Sequence, residues 1–434
     1  MPAPTVPQAK QGAEARDWSW VEDSVWTARM VSALENGVKG GKWYSLIDKV
    51  HAPATLAAAF AKVRVNAGAS GVDGQSVERF ATHADANLAR LSRELREGTY
   101  LPAAVRRVEI PKAGGGKRPL GIPTVKDRVA QTAVKFALEP ILEAMFHPRS
   151  FGFRPGRGAK DALREVDRLV KDGYCYVVDA DLKSYFDTIP HDKLMTRLAG
   201  LVSDGRLLDL VRGWLEQDIM GECGSWKPTG GTPQGGVISP LLANLYLHPL
   251  DVLMAERGLE MVRYADDFVI LCRSMAEAQG ALEMVRGFGT ENGLTLHPDK
   301  THIGDCRIEG QGFEFLGYRF EAARRLVRKK SLLSLRQRIR ERTRRTSGTS
   351  LARTIAALNP MLKGWFGYFK HATHGLKDVD AFIRRRLRAM LRKQDKRPGC
   401  GTSAQDRRQW PNAFFAQAGL FTLETARLTA RRSR

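Results

Sequence analysis

The chain has 434 residues, 43% of them apolar, which is enough for about three structural regions and too hydrophobic for general disorder. Lys and Arg outnumber Asp and Glu by 69 to 47, and the net charge of +22 points to a polyanionic partner, nucleic acid above all. No apolar run approaches the roughly 20 residues of a membrane helix, and the five scattered cysteines include no Cys-x-x-Cys pair, so neither a membrane span nor a disulfide or paired-cysteine zinc framework is expected. Reduced thiols in a cytoplasm fit best, and the Pro-, Ala- and Gln-containing start, without an apolar core, reads as a loose tail rather than a secretory signal.

From Trp18 to about Val65 the pattern is helical, with Leu46, Ile47 and Val50 at helical spacing, and predicts two or three short helices. Gly71-Val72-Asp73-Gly74 signals a turn, and Phe80, Leu88, Leu91 and Leu95 predict one amphipathic helix ending near Gly98. The period then changes. Val105 to Lys112 reads as a strand, Gly114-Gly115-Gly116 as a tight turn and Lys117 to Ile122 as a returning strand, with cations at the tip and on both arms. A helix from about Lys126 to Met145 precedes Phe151-Gly152-Phe153-Arg154-Pro155-Gly156-Arg157, a loop of interleaved basic and aromatic residues. Tyr174 to Leu182 is a predicted strand with a helix from about Ser184, and Gly230 to Gly236 a flexible loop feeding a helix that Ser239 can cap, with Pro240 in its first turn. Beyond Gly317 the composition turns strongly basic, which suggests a domain boundary near residue 322.

Two places interrupt apolar strands with acids. Between Val262 and Leu271 the pair Asp266-Asp267 reads either as a hairpin turn, where Asp is favoured, or as charge that something must compensate. Between Tyr176 and Leu182, Asp179 and Asp181 share a face by the two-residue period of a strand. Were the two strand ends adjacent in one sheet, Asp181, Asp266 and Asp267 could form a three-oxygen cluster that holds Mg²⁺ together with substrate phosphates. Asp179 is more simply a surface acid or a supporting neighbour, and Asp187 a helix-cap residue.

Tyr264-Ala265-Asp266-Asp267 with Asp181 upstream resembles the catalytic palm of reverse transcriptases. Gly231-Thr232-Pro233-Gln234-Gly235-Gly236-Val237-Ile238-Ser239-Pro240-Leu241-Leu242-Ala243-Asn244-Leu245 and Arg118-Pro119-Leu120-Gly121-Ile122-Pro123-Thr124, followed by Asp127-Arg128, extend the agreement. Together, in this order and from about Trp43 to Leu428, the blocks resemble the group II intron-encoded reverse transcriptase/maturase family.

The resemblance implies a right-hand polymerase of mixed α/β class: an N-terminal extension (1–65), fingers (66–170), a palm with metal site and primer grip (171–321) and a helical thumb or maturase domain with a basic tail (322–434). It implies Asp181 and Asp266 as principal ligands of two Mg²⁺ ions, Mn²⁺ being able to substitute, and Asp267 as a catalytic neighbour with a smaller role. Lys112 and Arg118 match positions that clasp the incoming triphosphate, Phe186 the aromatic that rejects a 2′-hydroxyl, Gln234 a contact to nucleotide and template, and Lys300 a general acid near the leaving pyrophosphate. Gly312 to Tyr318 resembles the strand pair that grips the primer end. In the basic region Arg328, Lys329, Lys330, Arg336, Arg340, Arg384, Arg385 and Arg388 are the expected RNA contacts, whereas Trp365, Tyr368 and Phe369 mostly serve helix packing. Longer family members end in an endonuclease with Cys pairs; this chain shows neither the length nor the cysteines, which suggests the endonuclease-lacking type, priming from an existing 3′ end.

The implied activity is RNA-templated DNA synthesis from dNTPs on an RNA template with a DNA primer. The implied partners are the intron RNA, whose splicing the protein assists, and a target DNA, with no membrane; oligomeric state stays open. A maturase that only chaperones RNA and a domesticated reverse transcriptase serving defence or repair remain alternatives. Neither a Gly-x-x-x-x-Gly-Lys-Ser/Thr loop nor a Gly-x-Gly-x-x-Gly loop is present, which argues against a P-loop ATPase or a Rossmann enzyme.

Overall fold

The computed structural model describes residues 16–111, 116–221 and 224–432, so Lys112 and the Gly114-Gly115 part of the expected turn lie outside the described residues. The chain divides into two compact units, Met1–Tyr174 with Ala180–Ile303 and Cys175–Asp179 with Gly304–Arg434.

In the first unit the helices Ala28–Asn36, Ile47–Val50 and Pro53–Asn66 pack on the long helix Val125–Met145. That helix is apolar on nearly every side and is buried accordingly, with Val129, Ala133, Ala137 and Leu138 fully enclosed. Thr124 caps its start by accepting from the Asp127 amide at 3.1 Å. The Asp127 carboxylate is itself buried, which raises its pKa, and is met by the Tyr100 hydroxyl at 2.6 Å, the Thr124 hydroxyl at 2.7 Å and the Ala103 amide at 3.2 Å. The stretch expected to form one helix up to Gly98 is two, Val77–Ala81 and Ala84–Glu97; Gly98 ends the second in the left-handed conformation, as a C-terminal glycine does.

Strands β1 (Val105–Pro111) and β2 (Lys117–Ile122) form the expected antiparallel hairpin. They join β4 (Ile219–Gly221) and β5 (Gly224–Trp226) in a sheet of order β2-β1-β4-β5, with β4 parallel to β1. β3 (Tyr176–Asp181), β6 (Glu260–Tyr264), β7 (Asp267–Cys272) and β8 (His302–Asp305) form a second sheet of order β6-β7-β3-β8. The helix Ser239–Glu256 departs from expectation in its first turn. Ser239 is its first residue rather than its cap, Ile238 makes no side-chain capping bond, and the Ser239 hydroxyl is turned toward Gly236, where a Cβ would come within 2.5 Å of it.

In the second unit β9 (Phe313–Phe315), β10 (Tyr318–Glu321) and β11 (Arg324–Val327) form an antiparallel sheet. The Tyr318 hydroxyl donates to the Tyr368 carbonyl at 2.6 Å and the Tyr368 hydroxyl to the Leu316 carbonyl at 2.8 Å. Trp365, Tyr368 and Phe369 pack edge to face or tilted at 4.7 and 4.8 Å between ring centres, the packing role expected of them. The helices Lys329–Arg342, Leu351–Phe369 and Leu376–Gln394 share a core built on Leu335, Ile339, Leu358, Leu362, Ile383 and Leu387. Asp380 caps the last helix, Leu423–Arg432, accepting from the Leu423 and Glu424 amides at 3.0 Å each. Among the described residues no helix is long and apolar enough to cross a membrane.

Candidate active site

β6 and β7 carry a ladder of buried apolar pairs, Met261 with Ile270 and Val262 with Val269, and close at Tyr264 with Asp267. Ala265 and Asp266 are therefore the two loop residues of a tight hairpin, and Ala265 has a φ of +60°, the positive value such a loop favours. The hairpin reading and the site reading of the Asp-Asp pair are thus compatible: the turn is what projects Asp266.

The turn is held from behind by a residue just outside the Tyr264–Asp267 motif. Arg263 is fully buried in β6. Its Nε and Nη2 donate to Asp251 at 2.7 and 2.5 Å, and its Nη1 donates to Asn244 Oδ1 and to the Ala265 carbonyl, both at 2.9 Å. Asn244 in turn donates to the Gly152 carbonyl at 2.7 Å, and a Cβ on Gly152 would lie 2.3 Å from the Ala265 nitrogen, so only glycine admits this approach. An arginine directly following the apolar pair Met261-Val262 in a strand was the available signal.

Asp181 ends β3. Its carbonyl accepts from the His297 amide at 2.7 Å, and its carboxylate forms an ion pair with Lys300. Burial raises the Asp266 pKa and the negative charge of Asp181 adds to it, while Arg118 and Arg263 oppose. Among the described residues no three His, Cys, Asp or Glu side chains lie together as a metal cluster, so the expected three-oxygen arrangement is not assembled; what the structure gives is the Asp181 charge acting on Asp266. A half-buried carboxylate that feels the charge of a second one, the latter already drawing the Lys300 ammonium group, suits a hard cation with oxygen ligands, so these residues fit Mg²⁺. Asp179 accepts from the Glu314 amide at 3.3 Å, a supporting contact. Asp187 is not a cap: it lies inside the short helix Tyr185–Thr188, with both oxygens 3.4 Å from Gln234 Nε2.

Phe186, Gln234 and Arg118, residues expected at the nucleotide, come together around that helix. Ser184, at φ +51°, turns the chain into it; Tyr185 is buried and donates to the Ala243 carbonyl at 2.6 Å, and Phe186 follows. The Phe186 carbonyl accepts from Thr232 N at 2.6 Å and the Gln234 carbonyl from Gly121 N at 2.6 Å, so the 230–236 loop is stitched to both the helix and β2. Gly235 is at φ +116°, and a Cβ there would meet the Gly121 oxygen at 2.2 Å. Arg118 Nε donates to Gln234 Oε1 at 2.9 Å. A cleft of about 400 Å³ beside them is lined by Arg107, Phe186, Asp187, Trp226, Lys227 and Gln234.

In the second unit Lys329, Lys330, Arg340 and Arg385 are exposed, and Arg336, Arg340 and Arg385 each lie 5.4–5.8 Å from the Phe382 ring. Arg384 is half-buried, and Arg328 faces Glu314 at 3.5 Å. Arg388 departs from expectation. It is buried, its Nε donates to the Trp410 carbonyl at 2.9 Å and its Nη2 to Asn412 at 3.0 Å, so its guanidinium is committed to internal packing.

Residues 110–320 match the model of the reverse transcriptase (RNA-dependent DNA polymerase) family, and residues 332–410 that of the group II intron, maturase-specific domain. The chain is 35% identical over 307 residues to Protein YkfC of Escherichia coli (strain K12), covering 60% of this chain and 76% of that protein. It is 36% identical over 208 residues to the group II intron-encoded protein LtrA of Lactococcus lactis subsp. cremoris, covering 47% of this chain and 34% of LtrA. Among solved structures, a partial Cas6-RT-Cas1–Cas2 complex aligns over 57% of this chain and 41% of that one, with 27% identity and a TM-score of 0.36. With both family models matched in succession and three quarters of one relative spanned at more than 30% identity, this chain belongs to the family of group II intron-encoded reverse transcriptases and maturases.

Proposed function

We propose that the chain copies RNA into DNA, that its C-terminal unit binds a group II intron RNA and assists its splicing, and that the two activities together serve retromobility by target-primed reverse transcription. We divide it as fingers 66–170, palm 171–321 and thumb 322–434, after an N-terminal extension. The observation that carries the polymerase reading is a half-buried Asp266 on the tip of a tight hairpin, within reach of the negative charge of Asp181.

Two Mg²⁺ ions held by Asp181 and Asp266, with Asp267 beside them, supply when bound the positive charge that lowers the barrier to in-line attack on phosphorus. The chain's own groups do the rest. The primer 3′-hydroxyl gives up its proton to solvent, its oxygen bonds to the α-phosphorus of a dNTP, the bond to the oxygen bridging to the β-phosphate breaks, and pyrophosphate leaves. Arg118, with Lys112, neutralises the triphosphate; Gln234 fixes the pairing nucleotide; Lys300 exchanges Asp181 for the pyrophosphate and gives it a proton from Nζ. Phe186 offers no hydrogen-bond partner to a 2′-hydroxyl and fills its place.

The test is extension of an oligo(dT) primer on poly(rA). Product with Mg²⁺ and none without it is expected; no product with primer, dTTP and Mg²⁺ present overturns the polymerase reading in favour of an RNA chaperone. Phe186→Ala is expected to relax discrimination against ribonucleotides by at least about tenfold in the ratio of kcat/KM values, as measured with paired dNTP and rNTP titrations.

A further inference from the structure

Phe153 combines three features that packing does not explain. It is 49% exposed, its backbone is left-handed at φ +55°, a conformation a bulky side chain adopts only when its surroundings impose it, and its ring lies 6.4 Å from that of Tyr264, tilted by 41°. The imposing surroundings are on both sides. Before it, Phe151 N donates to the Arg263 carbonyl at 2.8 Å and the Gly152 carbonyl accepts from Asn244. After it, the buried Arg154 donates to the His147 and Ser150 carbonyls at 2.6 Å each and forms a two-pronged pair with Glu143 at 2.8 and 2.6 Å. Two buried arginine networks therefore hold an exposed phenylalanine in a strained conformation against the residue that precedes Ala265 and Asp266.

We propose that Phe153 and Tyr264 form an aromatic ledge on which the 3′-terminal nucleotide of the primer rests, so that its hydroxyl is presented to the site at Asp181 and Asp266. The inference rests on the polymerase reading, which fixes where the primer end must lie. Base and sugar edges present apolar and π surfaces to such rings, and aromatic contacts of this kind are tolerant of sequence, as a primer terminus requires. Phe153 is thus assigned to substrate binding in its own right.

Glycine separates this role from a structural one, because it relieves the left-handed backbone while removing the ring. With a primer carrying 2-aminopurine at its 3′ end, annealed to RNA and bound without dNTP, the wild-type protein is expected to quench the fluorescence. Phe153→Gly is expected to lose that quenching and to raise the KM for primer-template about tenfold, with a melting temperature at or above that of the wild type; Phe153→Tyr restores quenching. Unchanged quenching and KM in Phe153→Gly overturn the inference, as does a variant whose only change is a lower melting temperature. Wild-type protein that extends primers without quenching their ends overturns the ledge alone, whereas failure of both extension and quenching overturns the polymerase reading.

Discussion

Asp266→Asn is expected to lower nucleotide incorporation by a factor of at least about 10³ while leaving the melting temperature of the metal-free protein equal to or above that of the wild type. The two effects have one source. Burial and the neighbouring Asp181 charge raise the Asp266 pKa, so the ionised carboxylate is less favoured in the folded protein than in the unfolded chain. For an acid shifted in that direction the unfolded state binds fewer protons around and above the ordinary value near 3.8. Folding is therefore penalised at neutral pH, and the penalty disappears as pH falls below that value. The amide has no charge to desolvate. Thermal melts in EDTA at pH 7 and at pH 3.5 read this directly: any stabilisation by Asn at pH 7 shrinks at pH 3.5. A variant that melts well below the wild type at pH 7 contradicts the assignment of Asp266 as a group kept for chemistry. Binding of intron RNA is expected to be unchanged, since the basic side chains of the C-terminal unit are untouched.

Arg263→Met is expected to be the most destabilising single change near the site, by about 3–5 kcal/mol, because it leaves the Asp251 carboxylate buried without its partner. The two histidines that feel the Asp251 charge, His147 and His248, have pKa values lowered first by burial, that of His248 to about 4, so neither is a ready-made cation in place of Arg263. The double variant Arg263→Met with Asp251→Leu is expected to recover most of the stability, since a buried ion pair exchanged for apolar side chains of similar volume is often neutral. It is not expected to recover polymerisation, because the Ala265 carbonyl and Asn244 have still lost the donor that sets the catalytic turn. Chemical denaturation together with primer extension on the two singles and the double separates these contributions. Full activity in the double variant would show that Arg263 serves stability alone.

The elements legible in the sequence are those with local signals. The antiparallel pair of β1 and β2, the tight Tyr264–Asp267 hairpin and the Pro233–Gly236 loop all declare themselves within a few residues, and so does the order of the blocks. Contacts made across the fold are not legible in this way. Arg388 sits in a run of arginines and reads as a phosphate ligand until Trp410 and Asn412 arrive to take its donors. Beyond its place after an apolar pair, Arg263 carries no signal of its role in the sequence, because Asp251, Asn244 and Gly152 come to it from elsewhere in the chain. Asp187 and Ser239 fit the statistics of caps, yet each faces the 230–236 loop instead. In every case the deciding partner is remote in sequence or on a loop whose path no periodicity records.

The hydrogen bonds and ion pair that assemble the site join residues far apart in the chain: Arg118 and Gln234 are 116 positions apart, Asn244 and Gly152 are 92, and Lys300 and Asp181 are 119. Each closes a loop of about a hundred residues, and the entropy of that closure must be met before the contact returns anything. During synthesis the chain is therefore a collection of helices and hairpins in which this site cannot close until residues near 300 have left the ribosome.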